Sequence, residues 1–428
     1  MDNVTSVATE DMVQKTWSET SNSTLGVLEA EWLKEGGVLL FLFGLIYIAL
    51  ALYTLAKYFV LPCIDVITDK TDATSSVAGT LIIGGVTSAA GFATTFVGSF
   101  VDLRDISIGN TVGPHIYDHT VIVALSLLCV SSSLLKPVAT KELLRDTIFV
   151  ILVNILIILF FMDSVLVWYE TAVLSATFLL YLLLVRILRQ FMNKETVQTQ
   201  PAGEPIEMDL AGPDSPGAEK YKVMNLTPEA ESSCLGRTFH YLTLPIKAVM
   251  WATIPSPTWT CCKALAWTTI FPATLLVSLL WQGLLAYLMV QCGQVVGSTL
   301  GIPPEMVGLV IIAPISLDIM VCGLLARRGD LAMALHSILG RSIIHLSLTL
   351  GLSSLLYNVV FMDDIEVDAS CWPYPIIMLV LSLTILLLVV ACTRGQPSRW
   401  WFIPLIILFL LHFIAAMAFA YGFIVCPI

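Results

Sequence analysis

The feature that most constrains this chain is a succession of ten apolar runs, each near or above membrane length, joined mostly by short polar links. A helix of about 20 apolar residues crosses a hydrocarbon core of about 30 Å, and lipid offers its backbone amides no partner but one another. The runs fall near residues 37–60, 74–101, 108–132, 145–163 and 167–190, then 264–291, 303–326, 334–358, 374–393 and 400–425. With 57% hydrophobic and 12% charged residues and a mean hydropathy of +0.87, a set of soluble domains is excluded. The expected fold is an all-α membrane protein of ten transmembrane helices in two five-helix halves. An odd number of spans per half makes the second half enter from the opposite face, the geometry of an inverted-topology repeat.

The net charge of −11 becomes informative only when Lys and Arg are sorted by side. With the N-terminus outside, 17 of the 21 basic residues fall on the inner face. Lys15, Lys34 and Arg104 fall outside, and Arg341 lies within a span. Both termini are therefore expected to be extracellular or lumenal, with the plasma membrane preferred over an intracellular secretory membrane. The expected surroundings are the lipid bilayer, and nucleic acid is not expected as a partner; the oligomeric state is open.

The expected organisation is an external arm over 1–36, a first half over 37–190, a cytoplasmic linker and interfacial segment over 191–263, and a second half over 264–428. The arm carries seven acidic and two basic side chains, no apolar core and no signal-peptide pattern. Its sequons at Asn3 and Asn22 are candidate glycosylation sites, whereas Asn225 should be cytoplasmic and unused. Residues 196–233 are rich in Pro, Gly, Glu and Ser, which marks a flexible linker, and the 191–263 segment is the one open to a protein partner. The following FHYLTLPIKAVMWATIPSPTWTCCKAL stretch, with Lys247 and Lys263, reads as lying along the inner surface. In MDSVLVWYE, Trp168 and Tyr169 fit an interfacial belt. The ten cysteines show no CxxC pairing, so no zinc ribbon is expected; Cys292 and Cys371 fall on the outer face, where a disulfide is permitted.

Two stretches carry too many small and ionisable residues to be plain anchors: 77–121 in the first half (repeat 1) and 303–346 in the second (repeat 2). GNTVGPHIYDH from Gly109 aligns with HSILGRSIIHL from His336, which sets Gly113 against Gly340 and Asp118 against His345. Gly and Pro in the preceding span of each can break a helix, so that backbone groups and helix ends face an ion inside a cavity.

Across nearly all ten spans the chain resembles the potassium-dependent sodium/calcium exchangers of the cation/calcium exchanger superfamily. The likeness is carried by KYFVLPCIDVITDK, VAGTLIIGGVTSAAGF, RDTIFVILVNILIILFFMDSVLVWYE, LTLPIKAVMWATIP, LLAYLMVQCGQVVGSTLGIPPEMVGL and LLARRGDLAM. It implies ten helices in two inverted halves, a cation site between the second, third, seventh and eighth, and transport by alternating access. It also implies departures. The glutamate of the family's SAPE-type motif is Gly91 here; the second-repeat aspartate is kept as Asp318; the later asparagine of the first repeat is Asp118. The aspartate associated with potassium dependence is His345, and Arg341 stands at a small-residue position.

Calcium takes six to eight oxygen ligands, several of them carboxylates. The candidate ligands here are Asp318, Asp118, the hydroxyls of Ser88, Thr87 and Ser316, and backbone carbonyls, beside a fixed guanidinium. An Arg within a membrane needs a partner, and Asp118 and Asp318 are the expected ones for Arg341, which would occupy the carboxylates calcium requires. His115, Asp118 and His119 stand at i, i+3 and i+4, one face of a helix, with His345 as the repeat partner of Asp118. That set suits hydrogen bonds that hold the bundle shut, a proton relay or, less well, zinc. No cofactor and no enzyme activity is expected. The expected function is a sodium/calcium exchanger-like secondary transporter of altered selectivity or coupling, with calcium, sodium or the proton as cargo. The alternative is a transport-inactive homologue acting as a sensor, receptor or partner subunit, with Arg341 in place of the bound cation.

Overall fold

The computed structural model describes residues 36–71, 73–89, 91–92, 114–130, 138–163, 165–196, 234–255, 271–302, 304–366, 373–392 and 398–420. Arg104, Gly113, Cys371 and the sequons at Asn3, Asn22 and Asn225 lie outside them. Five described helices are long and apolar enough to cross a bilayer: Val38–Thr68, Thr140–Phe160, Trp168–Leu188, Pro272–Leu300 and Leu331–Phe361. A sixth crossing is a pair, Gly308–Ile315 and Leu317–Arg328, bent by 45°. Shorter apolar helices cover Ser75–Ala89, Ile377–Cys392 and Phe402–Ala418.

In chain order the helices are α1 (38–71), α2 (75–89), α3 (114–129), α4 (Thr140–Phe160), α5 (Trp168–Thr196), α6 (Cys234–Thr253), α7 (Phe271–Leu300), α8 (304–315), α9 (Leu317–Arg328), α10 (331–361), α11 (Pro373–Cys392) and α12 (Phe402–Ala420). Their outer faces are apolar: Leu39, Ile46, Leu179, Leu280, Leu388 and Ile414 are each more than half exposed. The interior holds Asp118, Asp146, Asp318 and five of the six histidines' worth of polarity in His115, His119, His336, His345 and His412. Apolar outside and ionisable inside is the polarity of a protein whose solvent is lipid, and this is an all-α, multi-pass membrane protein.

Helix α2 packs on α10, α3 on α9 and α12, α1 on α7, α5 on α10, and α4 on α11. The α2–α10 crossing is the tightest because glycines face backbone there. A Cβ built on Gly340 would lie 2.2 Å from the Thr80 carbonyl oxygen, and one on Gly84 would lie 2.8 Å from the Arg341 amide nitrogen. Without lipid-exclusion energy between helices, such close backbone approach is what holds them together.

Single π-helical turns interrupt four of these helices: Ala56–Val60 in α1, Ala78–Ile83 in α2, Asp118–Ile122 in α3 and Ile344–Thr349 in α10; a fifth, Gly308–Ile312, opens the bent pair. Such turns re-aim side chains by widening the ladder, and they gather at functional sites. The bend of the pair falls at Ser316, after Pro314, where the chain passes from the short 3-10 turn Ala313–Ile315 into α9.

The structure adds detail to the sequence reading in three places. The span expected over 303–326 is the bent pair, because Pro314 cannot continue the hydrogen-bond ladder. The stretch expected along the inner surface is a regular helix, α6, that runs through Pro245 and packs on α1. The MDSVLVWYE turn is more than an aromatic belt: Val165–Leu166 (β1) pairs antiparallel with Ile365–Glu366 (β2), tying the α4–α5 turn to the α10–α11 turn. Trp168 and Tyr169 beside it are exposed, as a belt requires.

Gly340→Ala is expected to destabilise the purified protein by about 3 kcal/mol, since a methyl group there meets rigid backbone. Thermal melting in detergent checks it, and an unchanged midpoint would contradict the close α2–α10 contact.

Candidate functional site

Asp118 opens the π turn of α3, and Asp318 sits in the first turn of α9, immediately after the break at Ser316. A helix N-terminus favours a carboxylate through its free amides, so the bend creates the place Asp318 occupies. Arg341 reaches both from α10. Its Nη1 donates to Asp118 Oδ2, and its Nε lies 3.1 Å from Asp318 Oδ2. The guanidinium is 13% exposed and the two carboxylates 3% and 6%. Two carboxylates against one guanidinium leave a single net negative charge in the centre.

Of the hydroxyls expected as ligands, Thr87 alone is shown facing a central carboxylate among the described residues. Thr87 Oγ1 donates to the Gly84 carbonyl at 3.5 Å and also faces Asp318. Ser88 Oγ donates to the Gly85 carbonyl at 3.1 Å. Ser316 Oγ is buried at the bend and has no hydrogen-bond partner among the described residues. Gln282 on α7, which sequence reasoning did not single out, donates to the Thr87 carbonyl at 3.3 Å and fixes the end of α2.

Beside the carboxylates lies a chain of histidines. His115 Nε2 is 2.9 Å from His345 Nδ1, and His115 Nδ1 is 3.0 Å from Ser342 Oγ. Ser342 Oγ is also 3.0 Å from His119 Nε2, so one hydroxyl joins the two histidines of α3. His115 Nδ1 lies 3.7 Å from Asp118 Oδ2, within ion-pair range when the ring is charged. His119 Nδ1 is buried without a partner among the described residues. His345 therefore does not meet Asp118, as the repeat alignment had suggested; it takes His115, because Arg341 already holds the carboxylate. Ser342 was missed, and its only signal was its place next to Arg341. Among the described residues, no three His, Cys, Asp or Glu side chains converge as metal ligands. Cys292 is a free thiol beside Gly44.

Residues 40–186 and 270–421 match the family model described as "Sodium/calcium exchanger protein". This chain belongs to that family. Among its relatives, human sodium/potassium/calcium exchanger 5 is 24% identical over 381 residues, covering 78% of this chain and 74% of the relative. The Drosophila melanogaster sodium/potassium/calcium exchanger Nckx30C is 20% identical over 562 residues, covering 93% of this chain, which spans 63% of that longer protein. The solved sodium–calcium exchanger NCX_Mj, soaked with Na+ and Sr2+, superposes with a TM-score of 0.51 at 19% identity over 87% of this chain and 98% of its own. The resemblance to potassium-dependent exchangers drawn from the sequence motifs is thereby met, and the fold is the exchanger fold.

Against that family the geometry links two of the sequence departures. A Cβ on Gly91 would lie 2.6 Å from His345 Cδ2 and 2.7 Å from its Nε2. The imidazole at 345 thus stands where a side chain at 91 would begin, so a side chain at 91 requires the ring to move.

Removing the guanidinium by Arg341→Ser leaves Asp118 and Asp318 buried, close and unpaired, which is expected to cost about 3–5 kcal/mol. In melting experiments that variant should regain stability with millimolar Ca2+, while the parent protein does not respond to Ca2+. Equal salt responses would show that Arg341 does not stand in for a cation.

Proposed function

We propose that this protein is an exchanger-family secondary transporter whose central site has been reduced in charge by Arg341, so that it carries a monovalent cation or a proton in place of high-affinity calcium. The observation that carries the reading is the guanidinium between Asp118 and Asp318. Calcium needs several carboxylates and six to eight oxygens, and here one carboxylate oxygen of each aspartate is already engaged by Arg341. A site with one net negative charge balances one positive charge, not two. The His345–His115–Ser342–His119 chain, whose His115 lies 3.7 Å from Asp118 Oδ2, offers hydrogen-bonded positions through which a proton can move.

The same reading includes ten spans in two inverted five-helix halves, with both termini outside and the 191–263 segment inside. Support comes from recurrence. The π turns at Ala78–Ile83 and Asp118–Ile122 in the first half have counterparts at Gly308–Ile312 and Ile344–Thr349 in the second. The packing follows the same exchange: α2 on α10 answers α9 on α3, and α5 on α10 answers α12 on α3.

A second reading is favoured by one feature of that same contact. Arg341 on α10 clasps carboxylates from α3 and α9, so it joins the two proposed halves across the centre where alternating access would separate them. A protein locked in this way is a transport-inactive homologue serving as sensor, receptor or partner subunit, with the 191–263 segment available to a protein partner.

Flux in proteoliposomes separates the two. With sodium, potassium and proton gradients imposed in turn, the transporter reading expects sodium or proton movement that Asp318→Asn reduces at least tenfold, with little calcium uptake. No flux under any gradient leaves the locked homologue. The triple variant Gly91→Glu, His345→Asp, Arg341→Ser is expected to gain calcium uptake, because the ring at 345 must leave before a side chain at 91 can enter. Calcium uptake by the unaltered protein matching that of the triple variant would refute both readings.

A further inference from the structure

His336 lies on α10 five residues before Arg341, about 7.5 Å along the axis, and is buried outside the central site. Its Nδ1 is 2.7 Å from Asp146 Oδ2 on α4. The other oxygen of that carboxylate accepts from Arg145 Nε at 2.7 Å and from Tyr181 Oη on α5 at 2.9 Å. Arg145 Nη2 continues to Ser76 Oγ at 3.0 Å, bringing in the first turn of α2. Asp146 and Tyr181 are wholly buried.

The hydrogen-bond inventory fixes the tautomer. A carboxylate paired with Arg145 is ionised and can only accept, so the N–H between the two groups belongs to His336 Nδ1. Nε2 is then the basic nitrogen of the ring. It is buried and has no hydrogen-bond partner among the described residues. An imidazole oriented by a carboxylate on one nitrogen and free on the other is the arrangement that accepts a proton and stabilises the resulting imidazolium.

We propose that His336, oriented by Asp146, is a proton-binding site of its own, separate from the central cation site. A proton passes from hydronium to the Nε2 lone pair: one O–H bond breaks, one N–H bond forms, water is released and the ring gains one positive charge. The surrounding groups allow this. On α4, Asp146 faces Arg145, and Glu142 one turn earlier supplies a second carboxylate near that arginine. Helix α5 brings Tyr181, α2 brings Ser76 and Thr80, and α9 brings the Cys322 thiol, which meets Ser337. Two segments of α3 pack on α10: Val123–Cys129 brings Cys129, and Asp118–Ile122 brings His119 and Asp118, whose carboxylate Arg341 holds. On α10 itself the charge of Arg341 is engaged by Asp118 and Asp318. Loading the proton turns the α10–α4 contact from a hydrogen bond into an ion pair, on the helix that also carries Arg341.

The test is thermal unfolding of the purified full chain in nanodiscs from pH 5 to 9. The parent protein should show a one-proton step in its melting midpoint, lost in His336→Gln and kept in His345→Gln, which leaves the dyad intact. A step that survives His336→Gln, or moves only with His345→Gln, overturns the assignment. Should His336→Gln not fold, Tyr181→Phe keeps the ring packing and removes one donor to Asp146; the step must then change its position along the pH axis, and an unmoved step is equally fatal to the proposal.

Discussion

The contact on which the rest of this site depends is the guanidinium of Arg341 lying between Asp118 and Asp318. Carboxylates buried in a lipid-embedded bundle need a counter-charge, and in an antiporter the cargo supplies it. Here a side chain supplies it. A counter-charge tethered to the chain has consequences for the whole neighbourhood. The tethered charge cannot leave, it counts for one unit and not two, and it comes from the helix that crosses both others.

That geometry requires α10 to lie very close to α2, and the glycines permit it. Gly340 and Gly84 let backbone meet backbone at the level of Arg341, so the arginine starts its reach from within the bundle. The π turn that opens at Asp118 and the break at Ser316 then turn the two aspartates toward it. The α4–α10 cluster around Asp146 shows the same economy of means: three donors from three helices converge on one carboxylate, and every polar contact also holds a helix in place. Partnerless atoms such as Ser316 Oγ, His119 Nδ1 and His336 Nε2 stand out because so many neighbours are satisfied.

The pairing of Gly91 with His345 explains why the departures from the family pattern come as a set. The resemblance implies a glutamate where Gly91 stands, and the ring of His345 lies where a side chain at 91 would begin. Neither change is readable as compensation from the linear sequence, where the two residues stand far apart in different halves. The resemblance identified which positions differ, and the fold identified that they touch.

The membrane-length apolar runs, the family and the identity of the unusual residues were legible in the sequence, because lipid imposes a composition that shows itself over any window of about 20 residues. The partnership of Arg341 with Asp118 and Asp318 was also legible, since a buried cation has few possible partners and the chain offers few carboxylates at that depth. The sequence could not give the division of partners among the histidines. Alignment set His345 against Asp118, yet Arg341 holds Asp118, and Ser342 decides where His115 and His119 turn. Nor could it give the cluster of Asp146, Tyr181 and His336, whose members come from α4, α5 and α10 and meet only when those helices pack. Composition and periodicity are local and additive along a chain, so the sequence alone determined the solvent of this protein and its repertoire of groups. Which proton donor meets which acceptor is a matter of a few tenths of an ångström between distant segments, and only the tertiary structure decided it.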